Sequence, residues 1–112
     1  KSQAVGSLPD FGNFYDNSQK KFFDPYAGTE ALLPYAKAVS AKAYDLVPGT
    51  EAIMRHPSKG YELDFKRLVK MTVESGYKGY IGIEYEGGDR ISEKAGILMT
   101  KNLLQKYIAE FS

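Results

Sequence analysis

Cysteine is missing from the 112-residue chain, which excludes a disulfide framework and a thiolate metal site and fits a reducing compartment, here expected to be the cytoplasm. An excess of either charge is missing too. Fifteen Lys and Arg against fourteen Asp and Glu leave a formal charge of +1, so no broad field attracts nucleic acid or an anionic membrane, and neither is expected as a partner. No apolar run reaches the ~18 residues that span a bilayer, and the opening Lys1-Ser2-Gln3-Ala4-Val5-Gly6 lacks the apolar centre of a signal peptide. There is no phosphate-binding glycine loop, no H-E-x-x-H and no G-x-S-x-G. What is present is 43% hydrophobic and 26% charged residues, the composition of one globular domain whose partners are small molecules or protein.

Three short β-prone runs each end near a charged residue, and the spacing predicts strands over 4–10 (AVGSLPD), 38–44 (AVSAKAY) and 80–84 (YIGIE). Helical spacing follows each of them, over 29–36, 64–75 and 92–110. The second helix has the clearest limits, with Asp64 as its cap and Gly76 as its left-handed stop; Ser92 is the cap of the third, and Pro34 breaks the first. Alternating strands and helices predict parallel strands with right-handed crossovers and the helices on one face. Long strand-to-helix connections and short returns place the functional face at the carboxyl ends of the strands. Residues 47–60, with two prolines and two glycines, read as a surface loop.

Side chains alternate along a strand, so Ser40 and Lys42 share one face while Val39, Ala41 and Ala43 share the other; Gly82 and Glu84 likewise oppose Ile81, Ile83 and Tyr85. With the apolar faces under helices, Asp10, Lys42 and Glu84 all point to one mouth, within the width of a single substrate. Two carboxylates can divide acid and base roles or hold a divalent cation, and a lysine between them can balance charge or bind an oxyanion; the same trio also suits a structural ion-pair network. Lys42 could also form a Schiff base. In Tyr85-Glu86-Gly87-Gly88-Asp89 the glycines allow either a close backbone approach to a ligand, which makes Glu86 a candidate substrate contact, or a tight turn. Asn13 is a candidate ligand contact and Phe11 a rim-packing residue, whereas His56, the one histidine, reads as an exposed loop residue. Packing accounts for Tyr35, Tyr77, Tyr80 and Tyr107.

Three ordered blocks, Leu8-Pro9-Asp10-Phe11-Gly12-Asn13-Phe14, Pro34 through Lys42, and Gly76 through Gly87, resemble the sugar phosphate isomerase/epimerase family of xylose-isomerase-like TIM barrels, and the similarity runs on through Ser92-Glu93, Gly96-Ile97 and Thr100-Lys101. The resemblance implies an α/β fold formed by the last three βα units of a TIM barrel, with residues 1–112 as one partial domain. The other units are then expected from a longer chain or from a self-association partner. It also implies a carbohydrate substrate and proton transfer next to a carbonyl by two glutamates, of which Glu84 would be one; position along the chain adds Lys42 as a second catalytic candidate and Asn13, Lys42 and Glu86 as candidate substrate contacts. A Mn²⁺ or Mg²⁺ ion would be held by Asp10 and Glu84. Ser40 departs from the family, standing where its seventh strand carries a metal-binding histidine. Beside isomerase or epimerase chemistry stands a non-catalytic sugar-binding or scaffold domain without its metal. Endonuclease action on abasic DNA, known in the same superfamily, is disfavoured by the balanced charge.

Overall fold

The computed structural model describes residues 4–112. Its first strands form a small antiparallel hairpin, β1 (Tyr15–Asp16) with β2 (Lys21–Phe22), closed by an Asp16 side chain that accepts from the Ser18 amide at 2.9 Å. Helix α1 (Pro25–Leu32) follows: Asp24 caps it by accepting from the Tyr26 and Ala27 amides, and Pro25 opens its first turn. It passes into a 3₁₀ turn at Leu33–Tyr35. Strand β3 (Val39–Ala43) pairs in parallel with β7 (Ile81–Tyr85), with Lys42 opposite Glu84. Between them, β4 (Asp45–Leu46), β5 (Ile53–Arg55) and β6 (Glu62–Asp64) form a three-stranded antiparallel sheet. Helix α2 (Phe65–Glu74) runs from the Asp64 cap to Gly76, whose φ of 84° provides the left-handed exit, and α3 (Glu93–Phe111) starts at the Ser92 cap.

This architecture corrects the expectation of three parallel βα units of a TIM barrel. The described residues form three α-helices and short strands divided among separate sheets of two or three strands. Residues 4–10 supply only isolated parallel bridges, Ser7 to Ala36 and Asp10 to Ser40. Pro9 is one physical reason: it has no amide hydrogen to donate, so it contributes only its carbonyl, which accepts from Ser40 at 2.9 Å. The supposed long loops are the second reason, since they fold into antiparallel strands of their own. Positive-φ glycines at the turns, Gly49 at 80° and Gly60 at 76°, allow the reversals of the β4–β5–β6 meander within what reads locally as a surface loop. The first helix is displaced as well, to Pro25–Leu32 from the expected 29–36, because Asp24 and Pro25 give it an earlier start.

The core lies between the β3–β7 pair and helices α2 and α3, where Val39, Ala41, Ala43, Phe65, Leu68, Val69, Leu104 and Tyr107 are buried. Phe11 is fully buried, edge-on to Phe65 at 5.8 Å, so it is a core residue and not a rim residue. Packing does not account for every tyrosine assigned to it. Tyr107 is buried, but Tyr80 is 94% exposed and Tyr35 56%. Among the described residues no helix is long and apolar enough to cross a membrane.

Candidate functional site

The polar face of β3 carries a lysine into a half-enclosed ring of acidic groups. Lys42 is 6% exposed although it lies on the face away from the helices. Its Nζ donates to Asn13 Oδ1 at 2.6 Å and lies 3.5 Å from Glu86 Oε1, 3.7 Å from Glu84 Oε1 and 4.0 Å from Asp10 Oδ1. All five residues singled out from the sequence therefore meet at one ammonium group. The backbone explains how: Asp10 is bridged to Ser40, Lys42 is in register with Glu84, and the Glu86 amide donates to the Ala43 carbonyl, so adjacent chain ends converge.

Two details fix the geometry further. Asp10 Oδ1 accepts from the Gly12 amide at 2.9 Å, which turns the chain so that Asn13 reaches Lys42. An ammonium only donates, so the amide oxygen of Asn13 must face Lys42 and its NH₂ group is left to donate elsewhere. Gly12 is required by close approach: a Cβ there would lie 2.5 Å from Tyr44 Oη and 2.6 Å from Lys42 Cδ.

Beside Lys42 opens a cavity of about 350 Å³ whose walls include Asn13, Asn17, Lys42, Tyr44, His56 and Glu86. Tyr44 Oη donates to the Gly12 carbonyl at 3.0 Å and lies 3.0 Å from Tyr61 Oη. Burial, reinforced by that contact, pushes the Tyr44 phenol up, so it stays protonated. His56 is partly buried on this cavity, contrary to its reading as an exposed loop residue. Its Nδ1 accepts from the amides of Ser58 at 3.2 Å and Lys59 at 3.0 Å. Desolvation, with Lys59 nearby, holds its pKa below the ordinary value. A larger cavity of about 500 Å³ opens at Gly87, Arg90 and Ser92 and takes in none of the Lys42 cluster.

The glycines after β7 lie in an irregular segment that packs closely on Tyr85 and Asp45. Asp45 Oδ1 accepts from both Tyr85 Oη and the Gly88 amide at 3.0 Å, and a Cβ on Gly87 would collide with the Tyr85 hydroxyl. The Tyr85 pKa is pushed up to about 12, mainly by burial and then by its bond to Asp45.

Compared with known family models and with curated proteins, the chain matches none. The site therefore has to be judged on its own chemistry. The arrangement does not fit a divalent cation held by Asp10 and Glu84. Lys42 Nζ occupies the point on which the carboxylates converge, Ser40 offers no imidazole, and no group of three or more His, Asp or Glu among the described residues is arranged to hold a metal. Sequence reasoning missed Tyr44, His56 and Tyr61. Tyr44 had a signal, since it shares the parity of Ser40 and Lys42; His56 and Tyr61 had none, because the β5–β6 turn that carries them returns from a distance.

Proposed function

We propose that the Lys42 cluster transfers a proton at the carbon next to a carbonyl of a sugar or sugar phosphate, as an isomerase or epimerase does. The observation that supports this most is one buried ammonium flanked by Glu84 and Glu86, whose side chains are 45% and 51% exposed and so remain open to a ligand. In this reading Glu84 takes the proton, and the electron pair of the broken C–H bond moves to the carbonyl oxygen. Lys42 stabilises that oxyanion, which no cation other than its ammonium needs to do. For isomerisation Glu84 returns the proton to the neighbouring carbon; for epimerisation an acid on the opposite face of the same carbon, which Glu84 cannot be, gives a proton instead. Asn13 holds Lys42 in place and directs its NH₂ group to substrate, and Glu86 contacts a hydroxyl. The resemblance of the three sequence blocks supports the carbohydrate class.

The test is incorporation of solvent deuterium next to the carbonyl of ketoses and their phosphates. Incorporation above background that drops on Glu84→Gln is expected; none with any of these sugars would end the enzymatic reading. A second reading, a non-catalytic sugar-binding domain, is favoured by Ser40 in the place of a metal histidine, and it predicts sugar binding without exchange.

A further inference from the structure

Resting on that reading, we infer that His56 is a substrate-contacting residue, held as a neutral imidazole whose Nε2–H donates into the cavity to the substrate oxygen that gains charge on proton abstraction. The tautomer follows from the backbone. The amides of Ser58 and Lys59 can only donate, and both reach Nδ1, so Nδ1 carries no proton and the neutral ring must carry its hydrogen on Nε2. Nε2 lies on the side of the ring away from these amides, has no protein hydrogen-bond partner among the described residues, and belongs to a residue lining the cavity with Lys42 and Glu86. Only Thr29 Oγ1 and Tyr107 Oη are buried without a partner among the described residues, so water reaches Nε2 and a ligand oxygen can take that water's place.

The ring is held in place by aromatic contacts. Tyr44 lies 4.9 Å and Tyr61 5.0 Å from it, centroid to centroid. Tyr61 is stacked in turn on Phe22 at 4.3 Å and Tyr15 at 5.6 Å, so the β1–β2 hairpin buttresses the imidazole. The charged groups acting on the ring are Lys59 and Lys42, which oppose protonation, and Glu86, which favours it; desolvation outweighs them all and acts against the charged form. Neutrality suits the chemistry, because an imidazolium would pair with the glutamates and lower the basicity of the carboxylate that is to take the proton.

A single histidine makes the test direct, since one set of imidazole resonances reports it. Long-range ¹H–¹⁵N spectra of the full chain at pH 7 should show Nδ1 bare and Nε2 protonated. Titration with erythronohydroxamate, whose planar group copies an enediolate, should slow the exchange of the Nε2 proton with water. His56→Phe, which keeps a ring between Tyr44 and Tyr61, should bind the hydroxamate about tenfold more weakly, the loss of one hydrogen bond to a charged oxygen. His56→Gln, which keeps a donor, should recover part of that loss. An Nδ1-protonated ring, an imidazolium at pH 7, or equal hydroxamate affinity in wild type and His56→Phe would overturn the role of His56 while leaving the proton-transfer reading intact. A hydroxamate that binds neither protein would overturn both.

Discussion

At the residue scale the decisive energetics are those of Lys42. Removing an ammonium from water costs several kcal/mol unless partners compensate, and its side chain is 8% exposed. The partners are unequal. Asp10 is the most distant at 4.0 Å, yet its side chain is only 11% exposed, so water screens that pair least. Glu84 and Glu86 are closer but half-exposed, and each contributes about 1 kcal/mol or less. Lys42→Met is therefore expected to lower the unfolding free energy by about 3 kcal/mol, because it leaves the shielded Asp10 charge with the Gly12 amide but without its cation, whereas Glu86→Gln should cost under about 1 kcal/mol. Urea titrations of the two variants would show it, and equal losses would contradict this ranking. Lys42 and Glu84 were legible in the sequence because a period of two assigns each to a face and each lies near a strand end, whereas Asp10 was reached through a strand expected over 4–10 that the structure reduces to bridges, Asp10 to Ser40 among them. Burial of Lys42 was not, since the Gly12–Asn13 turn and Glu86 that cover it come from other segments. His56 was illegible for the same reason.

At the scale of elements, α3 and β7 meet through a glycine. Gly96 is buried in the first turns of α3, and a Cβ there would run into the Tyr85 ring. Two effects compete in Gly96→Ala. Helix propensity favours alanine by about 1 kcal/mol, while forcing a methyl group into a packed contact costs about 1–3 kcal/mol. The clash should win because the ring it meets is tethered through its hydroxyl to Asp45, so Gly96→Ala is expected to lower the thermal midpoint. A raised midpoint would contradict the tight contact. Asp64→Ala should cost about 1 kcal/mol in urea unfolding by leaving the Arg67 amide without its cap; no change would refute the cap. Caps are also why α2 and α3 could be read directly: Asp64, Gly76 and Ser92 act on their own neighbours in sequence. The strands of 15–22 and 45–64 could not, because runs of two or three residues carry too little periodicity to stand out from a loop. Pro9, legible as a proline, limits its segment to bridges, an effect that depends on which neighbour needs its missing hydrogen.

At the scale of the whole molecule, extents of 44 × 37 × 21 Å describe a thin slab, with the helices against one face of the β3–β7 pair and Lys42 on the other. Titration of the buried groups should bound its stability on both sides. The His56 pKa is depressed from 6.5, so the unfolded chain binds more protons as pH falls through that value, and stability should decline there. Tyr85 is raised from 10.0 to about 12, and the phenols of Tyr44 and Tyr107 are also raised by burial, so the folded chain retains protons that the unfolded chain releases, and stability should fall as pH rises from 10 towards 12. Thermal midpoints across pH would check both limbs, and a midpoint unchanged from pH 10 to 12 would contradict the burial of these phenols. In the proposed reaction Lys42 is the cation that stabilises developing negative charge. The most direct test of this role is deuterium incorporation next to the carbonyl of ketoses and their phosphates, measured with excess EDTA on wild type and on Lys42→Met, at a temperature where circular dichroism shows both folded. Exchange by wild type should survive the chelator and fall by about 10²-fold or more in the variant; exchange abolished by EDTA, or undiminished in Lys42→Met, would rule out this role for Lys42.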